Sequence, residues 1–324
     1  MLARMTRRQL ETLLLRCHAD QRPPAHDDVQ PQRQRIVAYS QASREGTGLL
    51  GILCDDLLVE VLKWLPFERR VLFTRAVAKS FLSMVRNSDL FRSIHITPKP
   101  FVRWGFLNAK VHKLSIEERI SKKVQIPPNG MLDQLQELHI THTSCATIAR
   151  LRSSCAPWNL TTMSVRNVKG SKEVLQLLKW ACNLEKLVLA NVDVVFHLPE
   201  AVDSWRRRHG GYPPLRFLCM DRLKSTYMLE KLDLEELAVR SIDANVSVAK
   251  LPSMKRLFVR VYGILICSES GVAPLRTLVD SCPELEELNV TVKINRHLEV
   301  DFEHVYNFLQ EVFSHRTKVS VVSS

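Results

Sequence analysis

Glycine is scarce, with ten in 324 residues, and the eight cysteines are scattered without a single CxxC pair. Few glycines leave little material for phosphate-cradling loops. Only Gly46, Gly48 and Gly51 fall at GxGxxG spacing. A dinucleotide site needs a strand before that motif and a helix after it. Here the nearest strand-like run, residues 36–40, is followed by polar residues. The helix that comes next opens with Asp55 and Asp56, which repel a pyrophosphate. These glycines read as a hinge. Without CxxC pairs there is no zinc-ribbon or disulfide framework, and reduced thiols in cytoplasm or nucleus are the expectation. No run approaches the ~20 apolar residues of a membrane span. Arg4, Arg7 and Arg8 precede only the short Leu13–Leu15 run, too little for a secretion signal. No Walker-type loop, GxSxG elbow or HExxH occurs, so no enzyme activity, cofactor or metal is expected. His139, His142, Cys145 and Cys155 are closely spaced. But His139 alternates with Leu138 and Ile140, and the two cysteines straddle a predicted helix, a poor arrangement for zinc.

What is present is an ordinary globular composition, 45% hydrophobic and 25% charged, with a net charge of +12. The basic excess is spread along the chain. It favours acidic partners in general and does not single out nucleic acid. Residues 1–48 combine one potential amphipathic helix (6–17) with a polar, Pro-, Gln- and Arg-rich stretch expected to be disordered. Residues 53–66, LCDDLLVEVLKWLP, then form the most distinctive segment. Asp55 and Asp56 suit a helix start, accepting hydrogen bonds from orphan N–H groups and meeting the positive end of the dipole. Leu57, Leu58, Val61, Leu62 and Leu65 follow at helical spacing but fill more than one stripe. Pro66 then ends the helix. Two further short helices are expected around 71–73 and 77–85. Such a small core is marginal alone, so part of its apolar surface is expected to serve a partner.

This stretch resembles the F-box. The residues that carry the resemblance are Leu53-Cys54, Asp55-Asp56, the apolar helix Leu57–Leu65, Pro66, Val77-Ala78-Lys79-Ser80-Phe81 and Leu90-Phe91-Arg92-Ser93-Ile94-His95-Ile96. Cys54 stands where the family has its first proline, and Phe81 and Phe91 replace tryptophans. The resemblance covers residues 49–96 and rests on order and spacing. It implies docking on a Skp-type adaptor and, through it, on the cullin and RING subunits of an SCF-type ubiquitin ligase. Carried over residue by residue, the docking surface would be Leu53, Leu57, Val61, Leu65, Pro66, Val77 and Phe81. The other reading of these residues is closure of the module's own core. Two rival functions stand beside the ligase: an interaction scaffold whose degenerate F-box no longer docks, and a basic nucleic-acid-binding repeat protein.

From residue 91 an apolar–x–x–apolar–x–apolar template recurs. It begins at Phe91, Val111, Leu135, Leu160, Leu184, Leu215, Leu234, Met254 and Leu285, with a weaker last unit at Val319 and Val321. Starts lie 19 to 31 residues apart, a leucine-rich-repeat signature of irregular length. Regular asparagines are missing, although Asn191 and His142 fall near where one would sit. The expected fold is α/β: a short three-helix F-box, then a curved solenoid over 97–324 with a parallel sheet on the concave face and helices on the convex face. Its first strand, 91–96, overlaps the F-box end. Helices are expected at 171–183 and 273–282. Side chains two, four and six positions after each start should point away from the core. This puts Phe217, Arg240, Arg256, Phe258 and Arg260 on one outward patch suited to an acidic or phosphorylated protein substrate. A solvated basic face is the competing reading. Residues 200–214, with Trp205 and Arg206–Arg208, read as a projecting basic loop.

Overall fold

The computed structural model describes residues 60–65, 70, 91–96, 110–118, 124–128, 130–169, 171–192, 198–262, 269–293, 302–313 and 317–323. Among the described residues there are ten strands, and the nine that follow residue 112 form one parallel sheet in chain order. The ten are β1 Ser93–Ile96, β2 Lys113–Glu117, β3 Glu137–Thr141, β4 Thr162–Val168, β5 Lys186–Val192, β6 Phe217–Ser225, β7 Glu236–Ser247, β8 Arg256–Tyr262, β9 Glu287–Lys293 and β10 Lys318–Ser323. Among the described residues the α-helices between strands are α1 Cys145–Ser154, α2 Ser171–Leu178, α3 Leu198–His209, α4 Glu269–Asp280 and α5 Phe302–Phe313. The chain is therefore α/β with in-order parallel strands and interleaved helices, an arrangement compatible with a repeat array. No helix among the described residues is long and apolar enough to cross a membrane.

The chain divides into two compact units, residues 1–96 with 100–111, and 97–99 with 112–324. In the first, residues 60–63 are helical, and Lys63 and Glu60 form an ion pair of 2.6 Å one turn apart. Leu62 is 0% exposed and Leu65 8%, whereas Val61 is half-buried and Trp64 is 67% exposed. Phe91, Ile94 and Ile96 are buried while Ser93 and His95 are exposed, as a strand period of two requires.

In the second unit one apolar row runs through the sheet. From Leu114 on β2 through Leu138, Met163, Leu187, Leu218, Leu237 and Leu257 to Leu288 on β9, neighbours are in register and each is 0% exposed. Side chains two residues further on form a second buried row, from Ile116 to Val290. Each unit also repeats one backbone device just before its strand. The carbonyls of His112, Gln136, Thr161, Glu185, Arg216, Glu235 and Lys255 each accept two N–H donors from the following unit at 2.8 to 3.1 Å. The irregular spacing is thus absorbed between strands, never at this junction.

The sequence places a projecting loop at 200–214; the structure makes most of it the helix α3. Leu198, Ala201, Val202 and Trp205 recur at i, i+3, i+4, i+7 and are buried. Trp205 is 0% exposed and donates its indole N–H to Leu178 O at the end of α2, 2.6 Å away. The run of arginines after it masks this stripe in the sequence. The expected helix at 171–183 ends at Leu178, and a turn follows that leaves Trp180 40% exposed.

Three residues after β3 or at the ends of β4 and β5 adopt the left-handed conformation: His142, Asn167 and Asn191, each with φ of 52°. That region is sterically costly for most L-residues, and Asn and His tolerate it best. Their side chains form a ladder across the strands. Asn191 Nδ2 donates to Asn167 Oδ1 at 2.9 Å, and Asn167 Nδ2 lies 3.4 Å from His142 Nε2. Asn167 was missed in the sequence; its signal is the 25- and 24-residue spacing to the other two.

Candidate functional site

The outward face of β4–β8 carries the densest set of exposed cations on the sheet. Because alternate residues leave the core, each strand offers three positions there. Five of these are cations, Arg166, Lys186, Arg240, Arg256 and Arg260, all exposed. Only two carboxylates accompany them, Asp221 and Glu236, both half-buried. Ser164, Val188 and Ala190 form a floor of small or apolar groups, 6 to 7% exposed, continued by half-buried Cys219 and Ala238. Phe217 and Phe258 are half-buried on the same face.

Register decides which charges meet. Glu236 on β7 is paired with Arg256 on β8, and the two side chains form an ion pair. Arg240 Nη1 lies 3.1 Å from Asp221 Oδ1, an ion pair without hydrogen-bond geometry at that oxygen. The other oxygen of Asp221 accepts the backbone N–H of Asn191, which ties the left-handed ladder to this face. Lys186 Nζ sits 4.7 Å above the centre of the Phe217 ring. Arg166 Nε donates to Ser164 Oγ at 3.4 Å. Arg260 makes no ion pair among the described residues. Burial pushes the Cys219 thiol up, against the pull of nearby Arg166 and Arg240, so it stays a neutral floor group.

The structure therefore brings Arg256, Phe258 and Arg260 onto one strand and Arg240 onto the next. The register ends at Val239 opposite Val259, directly before Arg240 and Arg260. Phe217 lies two strands from β8, beside Lys186. Arg166 belongs to the same face and escaped the sequence reading. It sits six residues after the repeat start at Leu160, the position that yields Arg240 and Arg260 in their units. Of the adaptor-docking candidates, Leu53, Leu57, Pro66, Val77 and Phe81 lie outside the described residues. Val61 is half-buried and Leu65 is buried. No three His, Cys, Asp or Glu among the described residues gather as metal ligands would.

Chemically, an excess of three cations over a small-residue floor can hold an extended anionic chain. Adjacent strands stand about 4.8 Å apart, so β4 to β8 span about 19 Å, the reach of about six extended residues. No family model matches the chain, and no curated protein matches it.

Proposed function

We propose that this protein is a substrate-recognition adaptor of an SCF-type cullin–RING ubiquitin ligase, itself without catalytic activity. Residues 49–96 dock on a Skp-type adaptor, and the outward face of β4–β8 receives an acidic or phosphorylated segment of the substrate. The reading rests on the F-box-like order of residues 53–96 ahead of an in-order parallel sheet. The observation that carries it is the split within residues 60–65, a helical turn and the turn after it. Leu62 and Leu65 are buried, while Trp64 is 67% exposed and Val61 half-buried. This short segment thus carries apolar groups in solvent as well as buried ones. Each Val- or Leu-sized side chain buried in a docked complex contributes about 1.5–3 kcal/mol, so a few suffice for stable docking.

Cys54 in place of the family's proline favours a second reading, a scaffold that holds partners without engaging a ligase. Affinity capture of the full chain distinguishes them. Recovery of a Skp-type adaptor with a cullin, lost in the Leu57→Asp plus Val61→Asp variant, supports the ligase role. Capture of other proteins with neither subunit supports the scaffold.

A further inference from the structure

Three helix-to-strand connections end side by side where β4, β5 and β6 begin. They are the Pro157–Asn159 turn after α1, residues 179–183 after α2, and residues 210–216 after α3, whose last turn packs on Trp180. Because these strands are neighbours in the sheet, the connections follow one another along a single edge. Matching asparagines stitch successive units together there. Asn159 Nδ2 donates to Asp133 O at 2.7 Å, and Asn183 Nδ2 to Trp158 O at 2.8 Å.

The edge presents two indoles to water, Trp158 at 50% and Trp180 at 40% exposure. The Arg208 guanidinium lies 4.4 Å above the Trp180 ring, and His209 meets the same ring edge-on at 6.4 Å. Arg206 and Arg207 are exposed beside them. Basic residues in the last turn of a helix suit its negative dipole end, which accounts for the cations alone. It does not account for two large aromatic surfaces left in solvent next to them. Asp203, one turn before Arg206 and Arg207 on α3, faces Lys231 at 3.9 Å, and Glu200 is engaged by Lys179 at 3.5 Å.

We propose that this edge binds single-stranded nucleic acid. Bases stack on Trp158 and on the Trp180–Arg208 pair, and phosphates meet Arg206 and Arg207. Exposed aromatic faces among cations form the sequence-tolerant platform that unpaired bases use. An acidic peptide would need only the cations, and a duplex hides the base faces. The proposal does not depend on the ligase reading and uses none of its residues.

The test is fluorescence anisotropy of the full chain with a labelled 15-nucleotide oligouridylate at several salt concentrations. Expected are saturable binding with quenching of tryptophan emission, and log K falling with log salt at a slope of about −1.4, as the phosphates neutralised by Arg206 and Arg207 give. Arg206→Glu plus Arg207→Glu, and separately Trp158→Ala, should each weaken binding about tenfold. Both sites are exposed, and unchanged thermal unfolding checks that the variants fold. Absence of binding, or variants that bind like the parent, overturns the proposal. So does polyglutamate competing as well as the RNA, or a duplex of equal length binding equally. If Arg256→Glu plus Arg260→Glu abolishes binding instead, the polyanion sits on the sheet face and the edge has no such role.

Discussion

Arg256 on β8 and Glu236 on β7 stand opposite each other in the sheet register and form an ion pair on its outward face. An acidic ligand on that face competes with Glu236 for the guanidinium. Exposed pairs are worth about 0.2–1 kcal/mol. Glu236→Gln should therefore tighten binding of a glutamate-rich peptide by about 1.4- to 5-fold, and Arg256→Glu plus Arg260→Glu should abolish it. Anisotropy with a labelled peptide reads both. A peptide indifferent to the double reversal would remove this face from substrate recognition.

Trp205 closes the gap between α2 and α3. Trp205→Ala should cost about 3–5 kcal/mol through the cavity it opens. Trp205→Phe should cost about 0.5–1.5 kcal/mol for the lost hydrogen bond, because Leu178 O loses one of its two donors and keeps the Ala181 N–H. Urea unfolding measures both. A loss under 1 kcal/mol for the alanine variant would contradict the packing described here.

Asn167 combines a left-handed backbone with two ladder contacts. Asn167→Ala loses the contacts and keeps a Cβ in the left-handed backbone without the polar side chain that eases it. Asn167→Gly loses the contacts but relieves the strain. The alanine variant should be the less stable by about 1 kcal/mol, and the same urea experiment decides the order.

Lys113 Nζ lies 2.6 Å from Glu137 Oε2, and this hydrogen bond holds the Glu137 carboxyl below its ordinary value. A group depressed in the folded state contributes stability above its unfolded pKa and loses it as pH falls through the folded value. Both side chains are about two-fifths exposed, so screening keeps the effect small. Glu137→Gln should flatten the acid limb of stability against pH slightly, and salt should do the same. Urea midpoints at pH 3 and pH 6, with and without 0.5 M salt, test this. An unchanged acid limb would mean that the pair contributes nothing.

Burial pushes the Cys155 thiol to about 12 and the Cys282 thiol to about 11. Neither forms thiolate at pH 8 in the folded protein, so iodoacetamide should spare both until denaturant is added. Mass spectrometry of the labelled peptides checks this. Rapid labelling of either in the native state would show that its segment opens.

The succession of strands was legible along the chain because alternation is local. Leu138-His139-Ile140 and Leu187-Val188-Leu189 each declare a buried side within three residues. The outward positions of Arg240, Arg256 and Arg260 follow from the same period. Aligned template starts place Glu236 opposite Arg256, 20 residues on, although unit lengths vary. Tertiary structure decided that these side chains meet as an ion pair and that the Asp221 carboxylate also accepts the Asn191 N–H. It also decided that Trp205 seals a helix interface and that Trp64 faces water while Leu62 does not. Burial belongs to the packing of distant segments, and an apolar side chain carries no mark of which neighbour will cover it.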